Sequence, residues 1–336
     1  MLYVGVDLHR KASQVAVVDE QGKLIFNRHV PSQREDLLRV FGEAGPIESM
    51  QVAYEATYGW GWFADLLEDV GIPAHMAHPR ANKAIASARV KNDAVDAKTL
   101  AQLLRTGLLP ESWIAPPETR EARRLVRMRT AMVRIRSRLK NQIHALLADQ
   151  GLHPEGSDIF AGDLTRMTKQ LPAVTKQRAE ANLRLIEELD KEVDLADSHI
   201  HKLFARDERV HRLLPIPGVG IITAAIVVAE VGEIARFPSA RQFSSWCGLT
   251  PTEHSSAENI RRGHISKQGS RWLRWVLVEA ACHAYRNREL SNFEAGIASR
   301  RGDKIARVAL ARRIATLCYH ALRSPQGCRA FPARTR

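Results

Sequence analysis

Three short apolar segments lie close together at the start of the chain, and the connections between them are too short to hold a helix. They cover residues 2–7, 13–19 and 23–30, and the turn before the third contains Gln21 and Gly22. Strands joined by such short turns pair as an antiparallel meander. The pattern therefore predicts that the chain begins with three antiparallel strands of one sheet.

The rest of the N-terminal region alternates between helical and strand patterns. We predict a helix over 33–42 that ends at Gly42, a strand over 49–55, a helix reaching Val70, and a short fifth strand over 72–76. Together with the meander, these segments predict an α/β domain. We place its boundaries at residues 1–112.

Four carboxylates occupy special places in this pattern. Asp7 ends the first strand and Glu55 ends the fourth, and both follow apolar residues, where an acid does not serve packing. Asp93 and Asp96 are three residues apart near the start of a helix predicted to reach about Arg105, so both project from one face. Strand-end acids combined with a helical acid pair are typical of a ribonuclease H-like fold, in which they converge at one edge of the sheet.

Carboxylates in one pocket repel each other unless cations neutralise them. Two Mg²⁺ ions held about 4 Å apart would balance the charge, activate an attacking oxygen and stabilise a leaving oxygen at a phosphate. Each acid taken alone could instead begin a turn, cap a helix or lie in solvent. The start G5-V-D-L-H-R10 could also open an actin-like ATPase domain, but that fold needs Gly-rich phosphate loops, which the N-terminal region lacks.

The charge balance favours a polyanionic partner. Lys and Arg number 50 and Asp and Glu 37, which gives a formal net charge of +13. The four cysteines are far apart and form no CxxC pair, so we expect reduced thiols rather than a zinc site. No leader-like segment and no apolar run of about 18 residues is present. We therefore expect a cytoplasmic, nucleoid-associated protein without a membrane span.

Two long helical patterns make up the middle of the chain, which we assign to a separate domain over 113–208. Residues 119–147 and 175–204 are joined by a link containing Gly and Pro over 151–171. This arrangement predicts an antiparallel coiled-coil hairpin or a dimer arm, with packing against the chain's own domains as the alternative. The predicted a/d positions are Leu125, Met128, Met132, Ile135 and Leu139 in the first helix and Ile186, Leu189, Val193, Ala196, Ile200 and Leu203 in the second.

The first long helix is one-sidedly basic. Only Glu121 opposes its many arginines over 120–138. A charge run of this kind is a solvated face or a track for a phosphate backbone, and its one-sidedness favours the second interpretation. The arginines that we predict to bind nucleic acid are Arg123, Arg124, Arg127, Arg134 and Arg138.

The C-terminal region, 209–336, is predicted to be mainly α-helical. L214-P-I-P-G-V-G-I-I-T223 has the form of a helix-hairpin-helix turn, in which Gly218 and Gly220 let the backbone approach a phosphate. The alternative is a plain tight turn before a buried helix. A basic, glycine-bearing stretch follows further on, and in it we predict that Lys267, Arg271 and Arg274 contact phosphates.

Ser255 and Ser256 precede that basic stretch in what we predict to be a loop. Adjacent serines in a loop are ordinary, and serine is a weak nucleophile that needs a base or a metal to activate it. The sequence near them shows no Ser-His-Asp pattern, although His254 and His264 are close.

Several of these segments together resemble a known family. They are G5-V-D7, Y54-E-A-T57, K91-N-D-A-V-D-A97, P215-I-P-G-V-G220, F243-S-S-W-C-G-L-T-P251, S255-S256 and S266-K-Q-G269. The chain resembles the DEDD transposases of bacterial insertion sequences, the group described as bridge-RNA-guided recombinases. The resemblance covers nearly the whole chain.

The resemblance implies a RuvC-like N-terminal domain, a coiled-coil middle, and a C-terminal domain that carries a nucleophilic serine. The four family acids correspond to Asp7, Glu55, Asp93 and Asp96, which would bind Mg²⁺. The serine corresponds to Ser256, with Ser255 as the near alternative. The implied reaction is DNA recombination through a 5′-phosphoserine link, without ATP.

The implied partners are donor and target DNA and a structured guide RNA, so that base pairing would select the sequence. A homo-dimer or tetramer is also expected, in which the long helices bring the serine of one protomer to the acids of another. Two departures from the family stand out: Tyr58 follows Thr57, and Ala257 follows Ser256, where glycines are common. The competing functions are a metal-only nuclease resembling a Holliday-junction resolvase and a non-catalytic nucleic-acid-binding protein.

Overall fold

The computed structural model describes residues 1–79, 81–82, 93–153, 159–161, 164, 168–256 and 259–328. These residues form two compact units, Met1–Ala115 and Pro116–Arg336. The division of the second unit at residue 208 stays a prediction.

A mixed five-stranded sheet forms the centre of the first unit. Its strands are β1 (Leu2–Asp7), β2 (Ala12–Val18), β3 (Leu24–Pro31), β4 (Met50–Glu55) and β5 (Ala74–Ala77), in the spatial order β3-β2-β1-β4-β5. The first three strands pair antiparallel, which confirms the predicted meander. β4 runs parallel to β1 and β5 runs parallel to β4. The ends of β1 and β4 therefore meet at the same edge of the sheet.

In the part of this unit that the structure describes, the two faces of the sheet are covered by the helices α1 (Arg34–Ala44), α2 (Trp60–Asp69) and α3 (Asp93–Arg105). Val4 and Val6 of β1 join the apolar core that includes Phe41 of α1 and Phe63 of α2. On the opposite face, Ala53 of β4 packs with apolar residues of α3. Successive strand residues point to opposite faces, so each layer uses alternate positions of the same strands.

Gly5 sets the distance between β1 and α3. A Cβ atom at this position would lie 2.0 Å from the carbonyl oxygen of Ala97 and 2.6 Å from the backbone nitrogen of Ala101. Only a residue without a side chain lets the backbone of the helix rest directly on the strand. This close approach brings the first turn of α3 to the end of β1.

The predicted end of the first helix is wrong by two residues. Helix α1 continues through Gly42, whose Cβ position has no neighbour within 4 Å. It ends at Gly45, which has φ of 155° and donates its backbone N–H to the carbonyl of Phe41. A φ of 155° is a backbone conformation that residues with a side chain rarely adopt, so a glycine suits the position after the helix.

The second unit begins with two long helices, α4 (Pro117–Ala148) and α5 (Ala173–Phe204), as predicted. Pro117 suits the first turn of α4 because the N–H that it lacks would have no helical partner there. The two helices run antiparallel: Arg129 pairs with Asp197, Arg136 with Asp190, and the Asn182 amide donates to Gln142 at 3.1 Å. Within the predicted link, the structure describes a short 3₁₀ turn, Ile159–Ala161.

Four of the six predicted apolar positions on α5 are buried, and the prediction for α4 is correct only in part. Ile186, Val193, Ala196 and Ile200 are buried, whereas Leu203 is 55% exposed and Phe204 takes its place. On α4, Met128 is 50% and Ile135 is 51% exposed. The buried positions of α4 are instead Arg120, Val126, Thr130, Ile143 and Leu147. One end of α4 packs against the C-terminal core rather than along a single heptad seam, which explains the difference.

The rest of the second unit is helical around one core. Its helices are α6 (Glu208–Leu213), α7 (Ile221–Val231), α8 (Ala240–Trp246), α9 (Arg271–His283), α10 (Arg288–Arg301) and α11 (Asp303–Arg323). α7 is buried from Ala224 to Val231, so it forms the centre of this core. A two-stranded hairpin of β6 (Pro251–Ser256) and β7 (Asn259–Ile265) lies between α8 and α9.

The structure bears on two further expectations from the sequence. All four cysteines are free, and only Cys282 is not buried. Among the residues that the structure describes, no helix is long and apolar enough to cross a membrane.

We expect Gly5→Ala to destabilise the first unit by roughly 1–3 kcal/mol, because the new methyl group would push α3 away from β1. Thermal unfolding of the full chain, followed by circular dichroism, measures the change. Gly42→Ala is the matched control, since Gly42 is helical with open space around its Cβ position, and it should be neutral or slightly stabilising. Equal melting temperatures for Gly5→Ala and the wild type would contradict this account of the β1–α3 contact.

Candidate active site

Asp7 is the buried acid of the candidate site. It follows Tyr3 and Gly5 at every second position of β1, which places it on the face covered by α3. Asp7 is 9% exposed. Burial raises the pKa of Asp7 above its ordinary value of 3.8, and the negative charges of Asp93 and Asp96 act in the same direction, while His9 offsets part of the shift.

His9 lies between two of the acids. Its Nε2 atom is 3.2 Å from Asp7 Oδ2 and 3.6 Å from Asp93 Oδ2. One ligand atom from each of these three residues can be chosen so that all lie within 4.8 Å of one another. His9 is not among the residues predicted from the sequence, although its position two residues after a strand-end acid is a usable signal.

Hydrogen bonds from the neighbouring strands hold the backbone of His9. Its N–H donates to Ser13 Oγ at 3.4 Å, and its carbonyl accepts from Ser32 Oγ at 2.7 Å. The two serine hydroxyls are 2.7 Å apart, so they form one connected unit. The segment that leaves β1 is therefore fixed where it passes the acids.

Asp93 and Asp96 belong to the first turn of α3, as predicted. The structure brings Asp93 to Asp7 and His9, and it places Asp96 close enough to raise the pKa of Asp7 by its charge. The Asn27 amide donates to the carbonyl of Ala94 at 2.8 Å and ties this turn to β3.

Glu55 follows Tyr54 on β4, just as Asp7 follows Val6 on the paired strand β1. Its Oε1 atom accepts from the Asn82 amide at 2.6 Å, and Asn82 is itself buried. Glu55 is not among the three residues with closely grouped ligand atoms. It lies at the same edge of the sheet, one strand away from Asp7.

The loop after Glu55 contains the first departure from the family pattern. The Thr57 hydroxyl donates to the carbonyl of Leu8 at 2.9 Å and so ties the ends of β4 and β1 together. Tyr58 is exposed, and Gly59 adopts the left-handed conformation with φ of 82° before α2. In the family pattern a glycine directly follows the threonine, at the position of Tyr58. Here the residue with positive φ is Gly59, one position later.

The donor set fits a divalent cation. Carboxylate oxygens are the usual ligands of hard divalent ions, and histidine nitrogen is also a common metal ligand. Burial raises the pKa of Asp7 most, and the charges of Asp93 and Asp96 add to it, so a bound cation would relieve both costs of ionising Asp7. Asp7 and Asp93 have oxygens close enough together to share one ion.

Ser255 and Ser256 lie in strand β6 and not in a loop, so that prediction is wrong. In the hairpin register, Ser255 pairs with Ile260 and Ser256 pairs with Asn259. Antiparallel pairing extends to the end of β6, and this is why the serines are not in irregular backbone. Ala257, the second departure from the family pattern, lies outside the described residues.

Two of the quoted motifs meet at the base of this hairpin. Ser266 donates its N–H to the carbonyl of Thr250 at 2.8 Å, and Lys267 donates to the carbonyl of Gly248 at 3.3 Å. A Cβ atom on Gly269 would lie 1.8 Å from the carbonyl oxygen of Trp246. The segments 248–251 and 266–269 therefore form one close backbone joint.

The glycine turn at 214–220 has a packing role. Gly218 has φ of 84°, and a Cβ atom there would lie 2.1 Å from the carbonyl oxygen of Ala280 in α9. Gly220 has open space around its Cβ position and precedes the first turn of α7. Gly218 thus meets the backbone of α9, while nucleic-acid contact by either glycine stays a prediction.

Two of the predicted nucleic-acid-binding arginines clamp α4 onto α7. Arg127 donates from Nε and Nη2 to the two carboxylate oxygens of Glu230, at 2.6 and 2.9 Å. Glu230 is 1% exposed and also accepts from Ser270 Oγ at 2.8 Å. Arg123 donates to the carbonyls of Ala229 and Glu230. This network connects the long helix, the central helix and the residue that caps α9.

The remaining predicted basic residues differ in their surroundings. Arg134 lies over the rings of Trp272 and Trp275, with its guanidinium carbon 4.6 and 5.5 Å from the ring centres, and Arg271 lies 4.7 Å from the centre of Trp272. Arg274 donates to the carbonyls of Cys247 and Gln268, both at 3.4 Å, and so supports the hairpin base. Arg124 pairs with Glu121 on the surface, and Arg138 and Lys267 are exposed.

The chain is similar to transposases over nearly its whole length. Residues 4–151 match a family model described as "Transposase" (DEDD_Tnp_IS110), and residues 210–295 match the model "Transposase IS116/IS110/IS902 family". A putative transposase y4pF/y4sB of Sinorhizobium fredii is 27% identical over 98% of this chain and 86% of the relative. A probable family 20 transposase of Pseudomonas aeruginosa is 27% identical over 97% of both chains. The transposase for insertion sequence element IS1111A of Coxiella burnetii is 27% identical over 94% of this chain and 88% of its own length.

We expect Asp7→Asn to raise the melting temperature in metal-free buffer at neutral pH. The pKa of Asp7 is higher in the folded chain, so ionisation of its carboxyl costs stability as the pH rises above 3.8, and the cost is complete once the pH passes the raised value. Each kcal/mol of relief corresponds to about 4 °C in a domain of roughly 100 residues. Asp36→Asn is the matched control, because Asp36 forms a surface pair with Arg39. A lower melting temperature for Asp7→Asn than for the control would contradict the expected relief.

Proposed function

The chain belongs to the IS110/IS116 family of insertion-sequence transposases, and from this premise we propose that it recombines DNA by Mg²⁺-assisted phosphoryl transfer through a 5′-phosphoserine intermediate under the direction of a guide RNA. The observation that carries the proposal is the convergence of Asp7, Asp93 and His9 at the end of β1, with Glu55 at the end of the adjacent strand. A buried acid with a raised pKa among other acids is typical of a catalytic metal site.

We assign residues 1–112 to a ribonuclease H-like, RuvC-like domain. The order β3-β2-β1-β4-β5, with an antiparallel meander followed by two parallel strands, supports this assignment. Asp7, Glu55, Asp93 and Asp96 would hold Mg²⁺, which when bound supplies charge neutralisation at the phosphate and activation of oxygen nucleophiles. The chain positions these acids through the Gly5 contact, the Thr57–Leu8 hydrogen bond and the Asn82–Glu55 hydrogen bond.

Ser256 is the proposed nucleophile, with Ser255 as the alternative. Its Oγ would attack a DNA phosphodiester, forming a serine–phosphate bond as the bond to the 3′-oxygen breaks and a 3′-hydroxyl is released. That hydroxyl would then attack the phosphoserine link of a partner strand and regenerate the serine. Each bond that breaks is replaced by an equivalent one, so no ATP is needed. The hairpin that carries the serines starts at the close backbone joint of segments 248–251 and 266–269, which supports a positioned nucleophile.

Donor and target DNA and a structured guide RNA are the proposed partners. The net charge of +13 and the exposed Arg124, Arg138 and Lys267 support binding to a phosphate backbone. Stacking on Trp272 orients the guanidinium groups of Arg134 and Arg271, which suits phosphate recognition. We also propose that the glycine turn at 214–220 acts as a helix-hairpin-helix element.

We further propose that the long helices act as a coiled-coil arm in a homo-dimer or tetramer. Met128 and Ile135 on α4 and Leu185, Leu195 and Leu203 on α5 are exposed large apolar side chains. Exposed apolar surface of this kind on paired helices suits contact with a second copy.

A covalent-adduct assay tests the proposed nucleophile and the acids together. The full chain is expressed with its native flanking DNA, denatured in SDS, and examined for protein that still carries DNA. We expect an adduct with the wild type and none with Ser256→Ala or Asp7→Ala. Ser255→Ala is the matched control, and it should retain the adduct.

Two outcomes would redirect the proposal. An adduct lost only with Ser255→Ala would move the nucleophile by one residue. DNA cleavage without any adduct, dependent on Asp7 but on neither serine, would indicate a metal-only nuclease instead.

Arg127 pairs with a buried carboxylate and Arg138 is exposed, so we expect opposite effects when each is replaced by alanine. Arg127→Ala should lower stability by about 3 kcal/mol, because it leaves the Glu230 carboxylate buried without its main partner. Arg138→Ala should leave stability unchanged and reduce the slope of log affinity against log salt concentration by about 0.9 for duplex DNA, as expected for one lost phosphate contact. Thermal unfolding and fluorescence anisotropy at several salt concentrations measure the two effects. An unchanged salt slope in Arg138→Ala would remove Arg138 from the nucleic-acid surface.

A further inference from the structure

We propose that His9 is a nitrogen ligand of the divalent cation held by Asp7 and Asp93, and that it shifts the metal preference of the site towards transition metals. This inference rests on the proposed metal-dependent function. Asp7, Asp93 and their partner acids alone would form an all-oxygen site, which suits Mg²⁺. An imidazole ligand adds a nitrogen donor to the carboxylate oxygens, and nitrogen donors favour transition metals over Mg²⁺.

The geometry places His9 where a ligand is needed. Its Nε2 atom is 3.2 Å from Asp7 Oδ2 and 3.6 Å from Asp93 Oδ2. Neighbouring ligands of an octahedral ion at about 2.1 Å lie about 3 Å apart. The observed separations are close to this value, so small side-chain rotations would let all three atoms contact one ion.

The position of His9 is set by the protein backbone. Its N–H donates to the hydroxyl of Ser13 in β2, and its carbonyl accepts from the hydroxyl of Ser32, which directly follows β3. Its side chain is about half exposed, at 51%, so a cation can reach it from solvent. A ligand needs both properties, because its backbone must be fixed while its donor atom stays accessible.

The chemistry of imidazole separates a ligand from a simple counter-charge. Lysine or arginine at this position would neutralise the acids, but neither has a lone pair to offer a metal. A neutral imidazole presents a lone pair at Nε2 and is a frequent metal ligand. The side chain between the two carboxylates is therefore of a type that can coordinate the ion that they attract.

Metal binding by the full chain, without DNA, tests the proposal. The chain is stripped with a chelator and titrated with Mn²⁺ alone and Mg²⁺ alone in a calorimeter. Pulsed electron paramagnetic resonance of bound Mn²⁺ then reports directly coordinated nitrogen. We expect nitrogen coupling in the wild type, and its loss together with a roughly tenfold weaker Mn²⁺ affinity in His9→Ala. Mg²⁺ affinity should change much less.

Two variants keep the test interpretable. His29→Ala is the matched control, because His29 is an exposed histidine on the edge strand β3, and it should keep both the affinity and the nitrogen coupling. His9→Gln retains a polar side chain of similar size if His9→Ala is poorly folded, and it should lose the nitrogen coupling as well.

The outcomes distinguish this inference from the proposed function. Mn²⁺ binding without nitrogen coupling, or coupling that persists in both His9 variants, would overturn the role of His9 and leave a metal site of carboxylates. No binding of either ion by the wild-type chain would overturn the inference and the metal-dependent function together.

Discussion

The contact between Gly5 and helix α3 is the constraint on which the candidate active site depends. Because Gly5 has no side chain, the carbonyl of Ala97 and the nitrogen of Ala101 lie where a Cβ atom would be. The helix therefore rests on β1, and its first turn reaches the acid at the strand end. Strand alternation then puts Asp7 on the covered face, and parallel pairing puts Glu55 at the same edge. Close backbone packing thus positions the acids, and the energetic cost is the burial of Asp7 together with the repulsion from Asp93 and Asp96.

A second buried contact organises the other unit. Glu230 lies inside the core and receives hydrogen bonds from Arg127 and Ser270, so one carboxylate joins α4, α7 and the start of α9. A charge buried in this way is tolerable only when it is paired and hydrogen-bonded. The same α9 supports the hairpin base through Arg274, so the long helix and the hairpin that carries the serines share one framework. The basic character of α4 consequently serves both structure and the proposed nucleic-acid surface.

The sequence predicted most of the secondary structure because the local signals were strong. Short apolar segments marked the strands, and apolar residues at heptad spacing marked the two long helices. Local signals were less informative where tertiary contacts choose between equivalent positions. Gly42 and Gly45 are both possible helix ends, and only the backbone conformation selects Gly45. Met128 and Ile135 fit a heptad, but α4 turns other residues towards the core.

The sequence by itself determined the family, the α/β and helical parts of the chain, and the candidate acids, since motifs and hydrophobic periodicity are local properties of the residues. Only the tertiary structure decided which groups meet. It brought His9 between Asp7 and Asp93, and it placed Ser255 and Ser256 in a paired strand. It also paired Arg127 with the buried carboxylate of Glu230, and Arg123 with backbone carbonyls of α7. The physical reason is that some of these contacts join residues that are distant in sequence. Others depend on the direction that the chain takes at the end of a strand. The spacing of residue types encodes neither property.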